Sequence, residues 1–425
     1  MTPEVKERIE QIRHGNVPEG YERHECGIVP IDWNVKPLSA VIQNEMRAVP
    51  KPTEPYWRMG VRSWAKGTFR AFVEDPSTVD MEELYVVREN DLVVNITFAW
   101  EQAIALAQKE DDGLLVSHRF PTYIFTNGNV SSFYKTIVSQ KRFKYLLELI
   151  SPGGAGRNRV MDRKAFLKLL VPVPDVQEQR KIAEVLESQE RSIELKEKLL
   201  AEKQRQKKYL MQQLLSGKKR LPGFSDKWKF AELGKISKKR KEKNKKFEYS
   251  LVFSNSAQHG IIPQTEQFDK EIANEERIDG YYIVHDSFFV YNPRISVTAP
   301  CGPINRNETG KTGVMSPLYT VFSIESEEIN QDFLKQYFKS SCWYRHMKSV
   351  ANYGARHDRM NVSDEDFFLM PIPIPCMDEQ RAIAGILSTA DKEIELLRQD
   401  LEQEKQKKKA LMQLLLTGIV RVTAE

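Results

Sequence analysis

The fold is decided by residues 171–220, VPVPDVQEQRKIAEVLESQERSIELKEKLLAEKQRQKKYLMQQLLSGKKR, because this stretch recurs at residues 372–421. The second copy reads IPIPCMDEQRAIAGILSTADKEIELLRQDLEQEKQKKKALMQLLLTGIVR and lies 201 residues further along, without a gap. An ungapped recurrence of this length does not arise by chance, so the sequence predicts a tandem duplication. Each half would hold a globular region followed by one long helix.

The helix prediction depends on the period of the apolar residues. Steps of four and three residues meet an apolar side chain at six of ten positions from Ile182 to Leu214, and at eight of ten from Ile383 to Leu415. This heptad seam is typical of a coiled coil. Each helix would begin after Pro-x-Pro and end near a glycine, Gly217 or Gly418. Antiparallel pairing of the two helices is favoured, while pairing of each with a helix of another protein stays open.

The regions between the helices combine short strand patterns with helical ones. Residues 92–95 and 122–125 read as strands and 143–150 as a helix; in the second half, residues 281–284, 287–291 and 318–324 read as strands and 332–349 as a helix. The predicted fold class is therefore α+β, with two mixed α/β domains joined by two long helices. The boundaries expected are an N-terminal helical arm at 1–30, globular regions at 31–175 and 219–376, and helices at 176–218 and 377–425.

Composition and charge limit the functional classes. The chain of 425 residues carries a net charge of +5 and has 29% charged and 10% aromatic residues, which is a globular composition. Residues 202–246 hold 17 Lys and Arg against four acidic residues, a local balance of +13, so the remainder carries −8. A localised basic block indicates contact with a polyanion, although a solvated helix face explains it equally well. With four scattered cysteines and no long apolar run, we expect a soluble cytoplasmic protein.

Two segments offer side chains suited to DNA. Residues 56–67 interleave aromatic and basic residues, and a glycine-rich loop with arginines at 153–159 has a counterpart at 352–359. Arginine reads guanine with two hydrogen bonds, asparagine reads adenine similarly, and lysine holds phosphates. The predicted DNA-contacting residues are Arg58, Arg62, Trp64, Lys66, Arg157, Arg159, Asn255, Arg356, His357 and Arg359.

Further motifs give the chain a family resemblance. They are the paired openings Pro-x-Pro…Glu-Gln-Arg-x-Ile-Ala, the paired endings Leu-Met-Gln…Leu-Leu-x-Gly, and the segments 31–33, 95–101, 117–121 and 316–319. Over essentially its full length, the chain resembles the specificity subunit of a Type I restriction-modification enzyme. The resemblance implies two target-recognition domains, at 31–175 and 219–376, separated by two conserved helices packed antiparallel.

The resemblance also implies a function and partners. Each target-recognition domain would read one half of a bipartite site in double-stranded DNA, and the helices would set the unread spacer. The subunit itself would catalyse nothing and hold no cofactor. Two modification subunits would methylate adenine with S-adenosylmethionine, and restriction subunits would cleave DNA with ATP and Mg²⁺. The implied docking residues for these partners are Glu178, Gln179, Arg180, Leu210, Met211, Glu379, Gln380, Arg381, Leu411 and Met412.

Motifs for a catalytic reading are incomplete. Residues 305–312 resemble a phosphate-binding loop, but Asn305 replaces its first glycine. The segment Asn292-Pro293-Arg294 lacks the second proline and the aromatic residue of an adenine methyltransferase motif. The seven histidines show no metal-ligand spacing. Two alternatives remain beside the DNA-recognition subunit: an enzyme that modifies DNA through unrecognised residues, and a coiled-coil adaptor without a DNA role.

Overall fold

The computed structural model describes residues 2–154, 159–264, 275–352 and 358–422. The chain forms two compact units, and each long helix contributes to both of them. Unit 1 comprises residues 1–195 and 401–425, and unit 2 comprises residues 196–400. These limits differ from the predicted domain boundaries, because each globular region packs on half of each helix instead of standing apart from the helices.

Unit 1 opens with a helix and a hairpin, so the predicted N-terminal helical arm is helical only in its first part. Its sheets have the orders β1-β2, β3-β13, β4-β12-β9-β10 and β5-β8-β11-β6-β7. The helices are α1 (Pro3–Arg13), α2 (Ser131–Val138), α3 (Lys141–Leu149) and α4 (Arg163–Lys168). The strands are β1 (Tyr21–His24), β2 (Gly27–Pro30), β3 (Asn34–Pro37), β4 (Ile42–Asn44), β5 (Arg47–Pro50), β6 (Tyr56–Val61), β7 (Thr68–Val73), β8 (Glu83–Val86), β9 (Leu92–Val94), β10 (Ile104–Leu106), β11 (Leu115–Val116), β12 (Thr122–Phe125) and β13 (Leu170–Val173).

Unit 2 repeats the central four-stranded sheet, here with the order β15-β22-β19-β20, beside the pairs β14-β23, β16-β17 and β18-β21. The short helices are α6 (Leu233–Ile236), α7 (Gln331–Lys339), α8 (Tyr344–Val350) and α9 (Asp364–Phe368). The strands are β14 (Lys229–Glu232), β15 (Ser237–Arg240), β16 (Phe253–Ser256), β17 (Gly260–Pro263), β18 (Tyr282–Val284), β19 (Phe289–Tyr291), β20 (Ile304–Arg306), β21 (Gly313–Met315), β22 (Thr320–Ile324) and β23 (Pro371–Ile374).

The two long helices predicted from the sequence are present in the structure. They are α5 (Val176–Leu214) and α10 (Met377–Leu416), of 39 and 40 residues. Both end just before a glycine with positive φ, 69° at Gly217 and 64° at Gly418. Gly418 has a second reason to lack a side chain, since a Cβ there would lie 2.4 Å from Cγ of Pro30. A left-handed residue at this point ends a helix, and glycine adopts it without strain.

Within each unit the two helices pair in opposite directions. In unit 2, Lys196 contacts Asp400 at 2.7 Å, Lys203 contacts Glu393 at 2.6 Å, and Lys207 contacts Asp391. Residue numbers thus fall on α10 as they rise on α5. The lysines that interrupt the apolar seam of α5 therefore form ion pairs with the facing helix.

In unit 1 the polar residues of the seam are also paired. Gln189 donates a hydrogen bond to Glu404, and Glu190 lies 2.9 Å from Lys408 and 3.1 Å from Lys135. Burial raises the pKa of the Glu190 carboxyl, but Lys408 and Lys135 lower it by more. The pKa therefore lies below its ordinary value, and the carboxyl is ionised.

Each unit has one main core in which its globular region meets the helices. In unit 1, Ile182, Leu186 and Leu415 pack with Trp33, Tyr134 and Phe166. In unit 2 the matching cluster joins Ile383, Leu387 and Leu214 to Phe289, Phe322 and Trp343.

The strand and helix predictions for the globular regions are confirmed, with one exception. The predicted helix at 332–349 is two helices, α7 and α8, interrupted after Lys339. Ser340 takes an extended conformation, donates its hydroxyl to the Tyr337 carbonyl at 2.6 Å, and accepts from the Cys342 amide at 3.1 Å. Because a serine side chain competes for backbone hydrogen bonds, the helix ends there.

Candidate nucleic-acid interface and the helix surfaces

The two units present the same pair of turns at one end of the two central strands of their four-stranded sheets. The first turn follows β9 or β19. The side-chain oxygen of Asn95 accepts from the Thr97 amide at 3.1 Å, and that of Asn292 accepts from the Arg294 amide at 3.0 Å. Asparagine forms such turns readily because its side chain replaces a backbone acceptor.

The second turn leads into β12 or β22. The Phe120 amide donates to the Ser117 carbonyl at 2.9 Å, and the Tyr319 amide donates to the Ser316 carbonyl at 3.0 Å. Arg119 is exposed on the first of these turns, and Leu318, 61% exposed, lies on the second. The same turn thus presents a cation in one unit and an apolar side chain in the other.

A third segment attaches beside these turns in both units. The Met161 amide donates to the Ile96 carbonyl at 2.9 Å, and the Met360 amide donates to the Pro293 carbonyl at 2.9 Å. Each methionine follows one of the predicted arginine-bearing loops. Arg157, Arg356 and His357 lie outside the described residues, so the role predicted for them stays a prediction.

The predicted aromatic and basic segment of unit 1 is the hairpin β6–β7. Trp57 and Phe72 face each other across the strands with ring centroids 5.1 Å apart, and they are 52% and 48% exposed. Arg58 and Lys66 are exposed on the same hairpin. Arg62 donates to the Thr68 carbonyl and lies 5.4 Å from the centre of the Phe69 ring. A surface of exposed aromatic rings and cations suits bases and phosphates.

The tip of this hairpin is fixed by backbone hydrogen bonds. The Trp64 amide donates to the Glu101 carbonyl at 2.7 Å, and the Ala65 amide donates to the Gln102 carbonyl at 2.9 Å. Trp64 has a φ of 64°, an uncommon conformation for a large side chain, and its ring remains 58% exposed. The Lys144 ammonium lies 5.0 Å from the ring centre. The tip is therefore held in place while the tryptophan ring stays accessible.

Three further predicted DNA contacts also have partners inside their own unit. Asn255 is 4% exposed, donates to the Val290 carbonyl at 2.7 Å and accepts from Asn305 at 2.7 Å. Its amide is thus used inside the unit, and contact of Asn255 with DNA stays a prediction. Arg159 donates to the Ser151 carbonyl at 3.1 Å and lies 5.0 Å from the centre of the Trp100 ring.

The third of these residues, Arg359, lies at the edge of the turn region. Its guanidinium is 3.8 Å from the Asp358 carboxylate, and its backbone bridges to Arg294. The two arginines lower the pKa of the neighbouring Tyr319 hydroxyl, but burial raises it more, so the tyrosine stays neutral. Arg359 thus lies next to the two turns, and its loose contact with Asp358 leaves the guanidinium able to bind DNA.

The predicted docking residues Glu178 and Glu379 are buried in matching clusters. Glu178 accepts from the Trp33 indole at 3.0 Å and from Arg421 at 2.8 and 2.9 Å. Glu379, 0% exposed, accepts from the Trp228 indole at 2.9 Å and from Arg220 at two distances of 2.7 Å. These pairs raise the pKa of both arginines, chiefly through the hydrogen bond to the carboxylate.

Gln179 and Gln380 are buried in a second matching arrangement. Gln179 accepts from the Val130 amide at 2.9 Å and donates to the Pro174 carbonyl at 3.0 Å. Gln380 accepts from the Asn330 amide at 2.7 Å and donates to the Pro375 carbonyl at 2.9 Å. The repeated Glu-Gln pair therefore fixes each helix to its own globular region. Docking of a partner by this pair stays a prediction, although its side chains are used inside each unit.

The other docking predictions divide into packed and exposed residues. Met211 belongs to the core cluster of unit 2 and Leu210 packs against it, while Leu411 and Met412 are partly buried and pack against the cluster of unit 1. Arg180 and Arg381 are exposed at matching positions near the helix starts. Docking stays a prediction for these two arginines.

Two pairs of exposed apolar residues recur at matching positions of the long helices and were not predicted from the sequence. Val185 and Ile386 are each 38% exposed, and Leu195 and Leu396 are 59% and 56% exposed. Each pair is separated by 201 residues and lies outside the heptad seam. Apolar residues that recur in both copies off the seam are the signal that could have identified them.

The catalytic features considered from the sequence are a metal site and the stretch at residues 305–312. Among them, no group of three His, Cys, Asp or Glu side chains could hold a metal ion. In the stretch that resembles a phosphate-binding loop, the Asn307 side chain donates to the Lys311 carbonyl at 2.9 Å and accepts from the Thr309 amide at 3.1 Å. The polar groups of this loop thus satisfy one another.

No helix in the described parts of the chain is long and apolar enough to cross a membrane.

Comparison with known proteins agrees with this organisation. Residues 225–405 match the family model described as Type I restriction modification DNA specificity domain. The MjaX specificity subunit of a type I restriction enzyme from Methanocaldococcus jannaschii is 23% identical over 95% of this chain and 97% of its own length. The MjaVIII specificity subunit from the same organism is 24% identical over 62% of this chain and 64% of its own length.

Solved structures share the fold. The HsdS subunit from Thermoanaerobacter tengcongensis aligns with a TM-score of 0.51 at 17% identity, covering 92% of this chain and 98% of its own. The Type-I restriction-modification system S subunit from M. genitalium aligns with a TM-score of 0.52 at 13% identity, covering 93% and 97%. At such identities the likeness concerns the fold alone.

Proposed function

We propose that this chain, a member of the Type I restriction-modification specificity-subunit family, selects the DNA sequence on which such an enzyme acts. Each unit would read one half of a bipartite site in double-stranded DNA. The observation that carries the proposal is the repetition of the same turns in both units with different exposed side chains, Arg119 in one and Leu318 in the other. A shared frame with different surface residues suits two readers of different sequences.

The long helices would form the spacer between the two readers. An α-helix rises 1.5 Å per residue, so the 39 residues of α5 extend about 58 Å. We infer that α5 and α10 form an antiparallel coiled coil, supported by their apolar seam and by the ion pairs within each unit. Its length would set the number of unread base pairs.

The same helices would dock two copies of a modification subunit. The support is the repetition of exposed residues on both helices: Arg180 with Arg381, Val185 with Ile386, and Leu195 with Leu396. Because one member of each pair lies in each unit, two identical partners would find equivalent surfaces. The partners would supply adenine methylation with S-adenosylmethionine, and restriction subunits would add ATP-dependent cleavage, in the cytoplasm. The chain itself would be non-catalytic.

Arg58 provides a direct test of DNA reading by unit 1. Replacing Arg58 by alanine should weaken binding to the recognised DNA sequence, identified from its methylated sites, by about 1–3 kcal/mol if the guanidinium contacts a base. Specificity should relax at one position of one half-site. The measurement is the dissociation constant for duplexes that vary each target base, with Arg205→Ala, an exposed arginine on α5, as the matched control.

Other outcomes of this measurement have definite meanings. Uniform weakening across all duplexes would assign Arg58 to a phosphate instead of a base. If the intact chain with its modification subunits shows no preference among DNA sequences, the recognition function is wrong and a coiled-coil adaptor becomes the better account. Methyl transfer to DNA by the purified chain alone would establish an enzyme.

A further inference from the structure

The most basic stretch of the chain forms an exposed edge of unit 2. Residues 235–246, KISKKRKEKNKK, hold eight Lys and Arg residues against one Glu. They complete α6, form β15 and continue into a turn. Since β15 is an outer strand of its four-stranded sheet, the stretch lies along the rim of that sheet.

Unit 1 supplies an internal control for this charge. Its strand β4 pairs with β12 as β15 pairs with β22, and both are outer strands of equivalent sheets. At β4 the chain reads Ile42-Gln43-Asn44 and continues with Glu45. The frame therefore folds without a basic edge. The lysines of unit 2 are not needed to solvate this strand, which removes the simplest structural reason for them.

The turn after β15 is firmly anchored. Asn244 is 1% exposed, donates from its side chain to the Tyr249 carbonyl at 2.7 Å, and accepts from the Tyr249 amide at 3.2 Å. Its own amide donates to the Tyr281 carbonyl at 3.0 Å. Around this buried residue, Lys243, Lys245 and Lys246 are exposed. The turn thus presents its cations from a fixed backbone.

Part of the positive charge is neutralised within the unit and part is not. Lys239 pairs with Asp364, and Arg240 lies 2.5 Å from Glu325. Lys238, Lys243 and Lys245 are exposed, with no carboxylate of the described residues within 4 Å. Lys241, 64% exposed, only approaches Asp364, at 4.0 Å. These four lysines leave a net positive surface along the strand and turn.

We infer that this basic edge binds the phosphates of duplex DNA beside the half-site that unit 2 reads. The inference rests on the proposed function and assigns sequence-independent affinity mainly to unit 2. Lysine suits this role, since its ammonium is a point charge that contacts phosphate without selecting a base. Each phosphate neutralised releases counterions, so the contact should appear in the salt dependence of binding.

The test removes the four lysines together. The variant Lys238→Gln/Lys241→Gln/Lys243→Gln/Lys245→Gln, in the full chain with its modification subunits, should bind mixed-sequence duplex DNA more weakly. The slope of log K against log salt should become shallower by about 0.9 for each lost phosphate contact, roughly 3–4 in total. The methylated motif should stay the same, because no base contact is removed.

A charge-matched control separates a local contact from net charge. The variant Lys198→Gln/Lys208→Gln/Lys218→Gln/Lys219→Gln removes four exposed lysines from α5 and the segment after it. It should leave the salt slope nearly unchanged. Equal changes in both variants would overturn the inference, because net charge would then explain the binding.

Three further results would be decisive. An altered methylation motif would assign the basic edge to base reading and overturn the phosphate assignment. If the variant binds DNA unchanged but no longer assembles with the modification subunits, the edge binds a protein partner. That result would also overturn the phosphate assignment. If the unaltered complex itself fails to bind DNA, the proposed function fails, and that result differs from a failure confined to the lysine variant.

Discussion

Replacing Glu379 by alanine is expected to lower the free energy of unfolding of unit 2 by about 3–5 kcal/mol, the usual cost of removing one partner of a buried ion pair. The carboxylate is fully buried and accepts three hydrogen bonds from Arg220 and Trp228. Without it, Arg220 keeps a hydrogen bond to the Asp226 carbonyl at 2.8 Å, and the indole loses its acceptor. Hydrogen exchange of the unit 2 core strands, followed by mass spectrometry, measures the loss.

The repeat supplies a matched control at Glu178. Alanine there should destabilise unit 1 instead, and by less, because Arg421 retains the Asp32 carboxylate at 2.8 and 2.9 Å. The exposed neighbour Asp378→Ala should change stability by no more than about 0.5 kcal/mol. A loss below about 1 kcal/mol for Glu379→Ala would contradict a structural role for the buried cluster and favour the docking prediction for this residue.

Lengthening both long helices by one heptad is expected to lengthen the unread spacer of the DNA target. Residues 196–202 would be duplicated in α5 and residues 394–400 in α10, which repeats the Lys196–Asp400 ion pair and preserves the apolar seam. Seven residues add about 10.5 Å of helix. At ~3.4 Å per base pair along one strand, the spacer should grow by about three base pairs while both half-sequences stay the same.

Mapping of methylated sites after coexpression with the modification subunit measures this change. Duplication of the heptad in α5 alone is the control, because it moves the facing residues out of register and should abolish methylation. An unchanged spacer in the double insertion would exclude the helices as the element that sets the separation.

The long helices could be predicted from the sequence because their information is local and periodic. The heptad steps, the Pro-x-Pro openings and the terminal glycines fixed their approximate bounds. The repeat also identifies Glu178 and Glu379 as equivalent residues. What it could not show was their burial, since Trp33 and Trp228 are brought to these carboxylates by strand pairs that close each globular region, β3 with β13 and β14 with β23.

The candidate site was less predictable for the same reason. Asn255 satisfies the chemistry of a base reader, but its burial depends on Val290 and Asn305, which are distant in sequence. The prediction of a single helix at 332–349 was wrong. The helical pattern of the sequence is continuous there, but the Ser340 hydroxyl forms hydrogen bonds with the backbone that end the helix. The hairpin β6–β7 could be found from its composition, because its interleaved aromatic and basic residues, Trp57, Arg58 and Lys66, are exposed in the structure.

In the proposed function, the two units of one chain read the two halves of one DNA site. The decisive measurement is to coexpress the chain with a Type I modification subunit and to map methylated adenines across the host genome. We predict a motif in two specified parts separated by a fixed number of unspecified bases, appearing only when both proteins are present. A contiguous motif, or methylation that does not depend on this chain, would contradict the account.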